Sequence, residues 1–270
     1  MTADWLEINV DASSMRALRV LPAAGGSDSA ALHNADVPGV LVCMHAPGID
    51  AFMEDVARRL AVAGYAAIVP DLYHRQAANN GDSPLLRMGR LRDAELFRDL
   101  AAATAALRMS PGVAARRIAV IGFCMGGRIA WLQAARDATL NAACCFYPGA
   151  IDTAWGGGEE KSWGGGEEKS WGGPEEKSWG GEALTPLQWG EKIAVPVLGL
   201  FGAEDTNPSS DHRQAMTRTL MRAGVTHDMR VYPGCGHAFL NFQRPSFRPE
   251  AAADAWQRCL DWLGTHNQPD

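Results

Sequence analysis

What the sequence lacks narrows it first. No apolar run in its 270 residues approaches the roughly 20 needed to cross a bilayer. The opening, Met1-Thr-Ala-Asp-Trp-Leu-Glu7, has neither the basic start nor the apolar stretch of a secretory signal, so the cytoplasm is the expected location. Basic residues are in deficit, 25 Lys+Arg against 31 Asp+Glu, for a net charge of −6. That balance gives no electrostatic reason to expect nucleic acid or an anionic membrane as a partner. The six cysteines form no CxxC pair, and a chain of this size needs no disulfide staples; most read as small buried hydrophobes. His33, His74, His212, His227 and His266 show no metal-ligand spacing, so no metal is expected. The first strand-to-helix turn lacks G-x-G-x-x-G, which argues against a dinucleotide enzyme, and no cofactor is implied.

What is present is a repeating rhythm. With 47% hydrophobic and 21% charged residues, the composition fits a globular protein. Strands are expected at Leu18–Leu21 (an early edge strand), Val40–Met44, Tyr65–Val69, Ile118–Phe123, Ala142–Tyr147, Val195–Phe201 and His227–Tyr232. Between and after them, helical spacing runs over Ala51–Ala63, Asp93–Met109, Met125–Arg136, Ser209–Ala223 and Pro249–Leu263. Continuous apolar strands separated by helices predict one α/β domain over residues 1–270, with a mostly parallel sheet covered on both faces. In such sheets ligands sit at the carboxyl ends of the strands.

One segment breaks the rhythm. From Trp155 the chain reads WGGGEEKS, WGGGEEKS, WGGPEEKS and WGGEALTP, an octad insertion spanning about 155–182 that holds four of the nine Trp, and its three EEKS repeats carry half of the net charge. One Trp per eight residues cannot build a solenoid core. Its Gly run is similar to a phosphate loop, but Glu160, Glu168 and Glu176 stand where that loop needs glycine before Lys. The segment reads as a tandem-duplicated surface loop; the alternative is a Trp-lined lid or binding stripe.

The strongest local signal is Ile118-Ala-Val-Ile-Gly-Phe-Cys-Met-Gly-Gly-Arg-Ile-Ala130. A strand ends in Gly122-Phe-Cys-Met-Gly126 and a helix follows at once, the context of a G-x-S-x-G nucleophile elbow with sulfur in place of oxygen. Gly122 and Gly126 let backbone and helix pass closely around the bend. Cys124 then sits at a helix N-terminus, where the dipole favours thiolate and the Met125 N–H can face an oxyanion. An elbow enzyme also needs an acid and then a histidine after later strands. Asp205, with Glu204 as the weaker candidate, follows Val195–Phe201, and His237 follows Arg230-Val-Tyr-Pro233. His237 would be the general base and Asp205 would fix its tautomer. The second oxyanion donor is expected in His45-Ala-Pro-Gly-Ile-Asp50; Pro47 has no N–H, so Ala46 is the better donor. His45 either shapes that loop or touches Cys124.

These residues resemble the dienelactone hydrolase (carboxymethylenebutenolidase) family of α/β-hydrolases over about 38–150 and 190–263. The likeness is carried by Gly48-Ile-Asp-Ala-Phe-Met53, Gly64-Tyr-Ala-Ala-Ile-Val-Pro-Asp-Leu-Tyr73, Gly122-Phe-Cys-Met-Gly-Gly127 and the stretch YPGCGHAFL from Tyr232. The resemblance implies an α/β-hydrolase fold and a Cys124–His237–Asp205 triad acting on small lactone or ester carbonyls. It also implies a cofactor-free enzyme, a monomer or small homo-oligomer, with a small-molecule ester or lactone as partner. Two positions depart from the family pattern. His45 stands where family members carry a glutamate, and Ala238-Phe-Leu-Asn241 lacks one of two arginines that hold a substrate carboxylate. Arg75, after Asp71-Leu-Tyr73, matches the other and is the candidate substrate contact. Arg90 and Arg128 are expected to be solvated or packed against the sheet. Two rival readings remain: a vestigial hydrolase fold serving as a binding module through the Trp-rich insertion, and, last, a thiol redox role for Cys124.

Overall fold

The computed structural model describes residues 1–23, 36–77, 81–156 and 184–267. Of the octad insertion only its first residues, Trp155 and Gly156, fall among them, so the lid and binding-stripe readings lie outside the described residues. The strands are β1 (Thr2–Val10), β2 (Ser13–Leu21), β3 (Val37–Cys43), β4 (Ala66–Pro70), β5 (Val113–Phe123), β6 (Ala143–Phe146), β7 (Val197–Gly202) and β8 (His227–Tyr232). They form one sheet in the order β1-β2-β4-β3-β5-β6-β7-β8. β3 to β8 pair in parallel, while β1 and β2 form an antiparallel hairpin, with β2 also antiparallel to β4. The expected edge strand at Leu18–Leu21 is therefore corrected. It is the second half of β2, an inner strand, and the edge is β1. β1 escapes a search for continuous apolar runs because only alternate residues, Leu6, Ile8 and Val10, turn toward the core while the rest are exposed.

The helices are α1 (Ala51–Val62), α2 (Pro84–Gly89), α3 (Asp93–Arg108), α4 (Met125–Arg136), α5 (Pro186–Trp189), α6 (Ser210–Ala223) and α7 (Pro249–His266). From β3 the chain steps one way through α1 to β4, then back the other way through α3 to β5 and through α4 to β6. Right-handed crossovers in opposite directions put helices on opposite faces. Consistent with this, α3 meets α4, α4 meets α5 and α5 meets α6, while Arg59 of α1 lies over Trp256 of α7 at 4.1 Å. The reversal occurs around β3, and its carboxyl end with that of neighbouring β5 opens the crevice where such sheets hold ligands.

Arg128 is neither solvated nor simply laid on the sheet. It is wholly buried, with two nitrogens 2.6 and 2.9 Å from the Asp93 carboxylate oxygens, and it donates to the carbonyls of Ala150 and Thr153. Trp155, the first residue of the octad series, covers the guanidinium at 3.8 Å and donates its backbone N–H to Asp93. A buried charge is tolerable only when paired this fully.

Candidate active site

β5 delivers its chain into the crevice through a bend that most sequences could not make. Cys124 adopts φ 57° and ψ −117°, left-handed backbone that costs a side-chain-bearing residue on the order of 1–3 kcal/mol. The surroundings enforce it. A methyl at Gly122 would overlap the Gly126 carbonyl, one at Gly126 the Cys43 carbonyl, and one at Gly127 the Phe146 carbonyl. The Cys124 N–H donates to Phe146 O at 3.0 Å, and its own carbonyl accepts from Gly127 and Arg128, the first bonds of α4. The thiol thus stands at a helix N-terminus on the tip of a tight turn.

The two partners arrive from β7 and β8. Asp205, buried just past β7, accepts from the Asn207 N–H with Oδ1 at 2.9 Å and from His237 Nδ1 with Oδ2 at 2.7 Å. That bond commits the imidazole to carrying a proton on Nδ1, and Cys124 lies close enough for thiol and ring to act on each other's charge. Burial alone would push the thiol up. The His237 imidazole beside it and the Met125 N–H that opens α4 outweigh burial and bring the thiol below its ordinary range. His237 moves the other way: burial lowers it, but the Cys124 sulfur and the Asp205 carboxylate raise it to about 10. The opposed shifts both favour the ionised thiol and the protonated ring. Glu204, the weaker acid candidate, is exposed.

The loop after β3 closes on itself. Gly48 N–H donates to the His45 carbonyl at 2.9 Å, which turns the Ala46 N–H to the opposite side of that trans peptide. The buried His45 ring places Nε2 3.0 Å from Asp50 Oδ2, while Asp50 Oδ1 caps α1 through the N–H groups of Phe52 and Met53. Burial works against the Asp50 charge, yet His45 and those two amides hold its carboxyl below the usual range. His45 is thus engaged in shaping the loop. Tyr73, from the chain after β4, adds a brace: its hydroxyl donates to the Ala46 carbonyl at 2.7 Å and lies 3.5 Å from the Met125 sulfur.

Arg75 faces other partners. Its guanidinium pairs with the buried Asp99 of α3 and lies 3.1 Å from Asp11 in the β1–β2 turn. Two residues escaped sequence reasoning. Tyr73 was visible only as part of the Asp-Leu-Tyr stretch. Tyr147, fully buried with φ 37°, sets its ring edge-on to His237 at 5.2 Å, and its hydroxyl has no hydrogen-bond partner among the described residues. Its only sequence signal is its place at the end of the Ala142–Tyr147 run. A cleft of about 350 Å³ adjoins the loop after β3 at Pro47, Gly48 and Ile49. Trp5, Arg16, Tyr73 and Arg87 line its other walls, with Arg87 flat over the Tyr73 ring at 4.1 Å.

Comparison with known proteins gives one consistent result. The model of the dienelactone hydrolase family matches residues 29–267. A Yersinia pestis protein named "Putative carboxymethylenebutenolidase" is 33% identical over 239 residues, covering 87% of this chain and 80% of its own. A Synechocystis protein of the same name is 34% identical over 230 residues, covering 82% and 83%. A crystal structure titled "Putative Dienelactone Hydrolase" from Klebsiella pneumoniae superposes with a TM-score of 0.77 at 32% identity, covering 98% of this chain and 99% of its own.

Proposed function

The chain belongs to the dienelactone hydrolase family and is a hydrolase of ester or lactone bonds, and on that premise we propose that it opens small esters and lactones with Cys124 as nucleophile. The observation that carries the reading is the His237–Asp205 hydrogen bond set beside Cys124 on its strained elbow, with the thiol lowered and the imidazole raised. The Cys124 thiolate attacks the substrate carbonyl carbon, and the C=O electrons move onto oxygen. The Met125 and Ala46 N–H groups receive that oxyanion, each such donor being worth about 10²–10³ in rate. Collapse breaks the C–O bond, and the His237 imidazolium gives its proton to the departing alkoxide, leaving a thioester. A water then loses a proton to His237 and adds its oxygen to the thioester carbon. Expulsion of the sulfur releases the acid and restores the thiolate–imidazolium pair. Asp205 holds the ring and stabilises its charge throughout.

The enzyme so described works as a monomer or small homo-oligomer in the cytoplasm; among the described residues no helix is long and apolar enough to cross a membrane. The test is direct. Cys124→Ala, folded as judged by circular dichroism, loses turnover of p-nitrophenyl acetate, and the wild type quenched during turnover carries one acetyl group on Cys124 by peptide mass spectrometry. Wild-type turnover by Cys124→Ala would end the proposal.

A further inference from the structure

A single phenol joins the two residues whose N–H groups are proposed to receive the oxyanion. The Tyr73 hydroxyl donates to the Ala46 carbonyl at 2.7 Å and lies 3.5 Å from the Met125 sulfur. The peptide on the other side of Ala46 is held as well, by the Gly48 N–H on the His45 carbonyl at 2.9 Å. With both flanking peptides fixed, the Ala46 N–H has one direction to point, and that direction is only as firm as the Tyr73 bond.

Behind that bond stands a cation. The Arg87 guanidinium lies over the Tyr73 ring at 4.1 Å. The chain after β4 grips α2 to set it there: Gln76 N–H donates to the Tyr73 carbonyl at 2.9 Å, and the Gln76 side-chain amide donates to the Arg87 carbonyl at 2.8 Å. Neighbouring arginines are paired with acids, Arg75 with Asp99 and Arg90 with Asp82. Arg87 forms no ion pair among the described residues, and the ring is its partner. A cation over the face of a phenol draws density from it and makes the O–H a stronger donor. Burial pushes the Tyr73 hydroxyl far above the ordinary tyrosine range and so keeps it protonated, while the Arg87 charge pulls the other way, toward a more polar O–H.

We propose that Arg87 is a positioning residue for the reaction: its guanidinium, stacked on Tyr73, holds and strengthens the hydroxyl bond that aims the Ala46 N–H at the oxyanion. The inference rests on the hydrolase reading above. In this role Arg87 meets no reacting atom, so its whole effect passes through one hydroxyl.

p-Nitrophenyl acetate reads that effect, since its acyl group carries no charge for Arg87 to bind directly. Arg87→Met keeps a long side chain and removes the cation; kcat is expected to fall about three- to fivefold with KM within about twofold. Arg87→Lys should recover part of the loss, because a charge returns without the flat guanidinium. In a Tyr73→Phe background the same Arg87→Met change should alter kcat by less than about 1.5-fold, the hydroxyl through which it acts being gone. Equal losses in the two backgrounds would overturn the proposal, as would an unchanged kcat in Arg87→Met whatever its melting temperature. A raised KM for p-nitrophenyl hemisuccinate with the acetate kcat untouched would overturn it too, and would make Arg87 a contact for charged substrates. All of these variants keep Cys124, so the ratios stay readable whichever residue is the nucleophile. A failure of the cysteine mechanism shows separately, as turnover by Cys124→Ala.

Discussion

Two places in this molecule hold nearly the same three side chains. At one, Cys124, His237 and Asp205 line up at the carboxyl ends of β5, β7 and β8. At the other, Ser13 Oγ lies 2.9 Å from His74 Nδ1, and His74 Nε2 lies 3.1 Å from Asp99 Oδ2. A nucleophile, an imidazole and a carboxylate are present in both, and His–Asp proximity itself is common here, recurring at His45–Asp50 and His212–Asp152. The difference lies in backbone and charge. Cys124 stands on left-handed backbone at the start of a twelve-residue helix, where the helix dipole favours its thiolate. Ser13 is simply the first residue of a regular strand, paired with Val10 across a hairpin. Asp205 gives one oxygen to His237 and one to a backbone amide, so its charge serves the imidazole. Asp99 shares its charge with the Arg75 guanidinium. On the mechanism proposed above, side-chain identity does not distinguish a reactive array from a structural one. The strand-to-helix bend does.

The sharpest way to break the comparison is to take the bend away. Gly126→Ala puts a methyl into the Cys43 carbonyl, a clash with rigid backbone on both sides. The expected outcome is a protein destabilised by about 4 kcal/mol or more, without measurable esterase activity, as read by urea unfolding and p-nitrophenyl acetate assay. Next in size is the pair of histidine deletions. His237→Ala should lower kcat by about 10³-fold or more, because in the proposed mechanism both proton transfers pass through that ring. His74→Ala should leave kcat within about twofold, yet cost on the order of 1–3 kcal/mol in stability by leaving Ser13 and Asp99 without the imidazole between them. Equal activity losses in the two variants would mean that the arrays are not different in kind.

Much of this contrast could be read from the chain alone, and the unreadable parts share a cause. The parallel strands announce themselves because burial on both faces demands continuous apolar runs, as in Val40–Met44 and Ile118–Phe123. The elbow is legible because the approach distances at Gly122 and Gly126 exclude every side chain. β1 was not legible as an apolar run, since its Leu6, Ile8 and Val10 alternate with exposed residues. Nor was the burial of Arg128, whose acceptability depends on Asp93 and on carbonyls some 20 residues away in sequence. The partners of Arg75 were hidden for the same reason: Asp11 and Asp99 reach it only after the hairpin and α3 have folded around it. Local sterics write themselves into sequence, whereas a long-range ion pair leaves only two ordinary charged letters far apart.

A smaller effect probes how the bend's partner loop is held. Tyr73 touches no reacting atom; its hydroxyl fixes the Ala46 carbonyl, and the ring packs beneath Arg87. Tyr73→Phe keeps the ring and removes only the brace. The expected result is a kcat reduced by about tenfold with KM nearly unchanged, as for an interaction felt mainly in the transition state. A purely structural role would lower the melting temperature and leave kcat alone.

The last prediction is of no effect at all, and it tests the comparison most strictly. In a Cys124→Ala background, Ser13→Cys builds a complete thiol–imidazole–carboxylate set at the second array. Ser14 and Gln76 border an open cleft of about 410 Å³, although the His74 side chain itself is closed off, 2% exposed where that of His237 is 35%. The new thiol would also start on extended strand backbone, with no helix N-terminus to favour its ionised form and no pair of N–H groups beside it for an oxyanion. Its imidazole would be backed by a carboxylate already paired with Arg75, which weakens the pull that raises His237 at the first array. Turnover of p-nitrophenyl acetate by the double variant should therefore stay within about twofold of Cys124→Ala alone, since a thiol without oxyanion support forfeits most of the rate. A burst of p-nitrophenol from the double variant would show that three side chains suffice and that the strained elbow is dispensable.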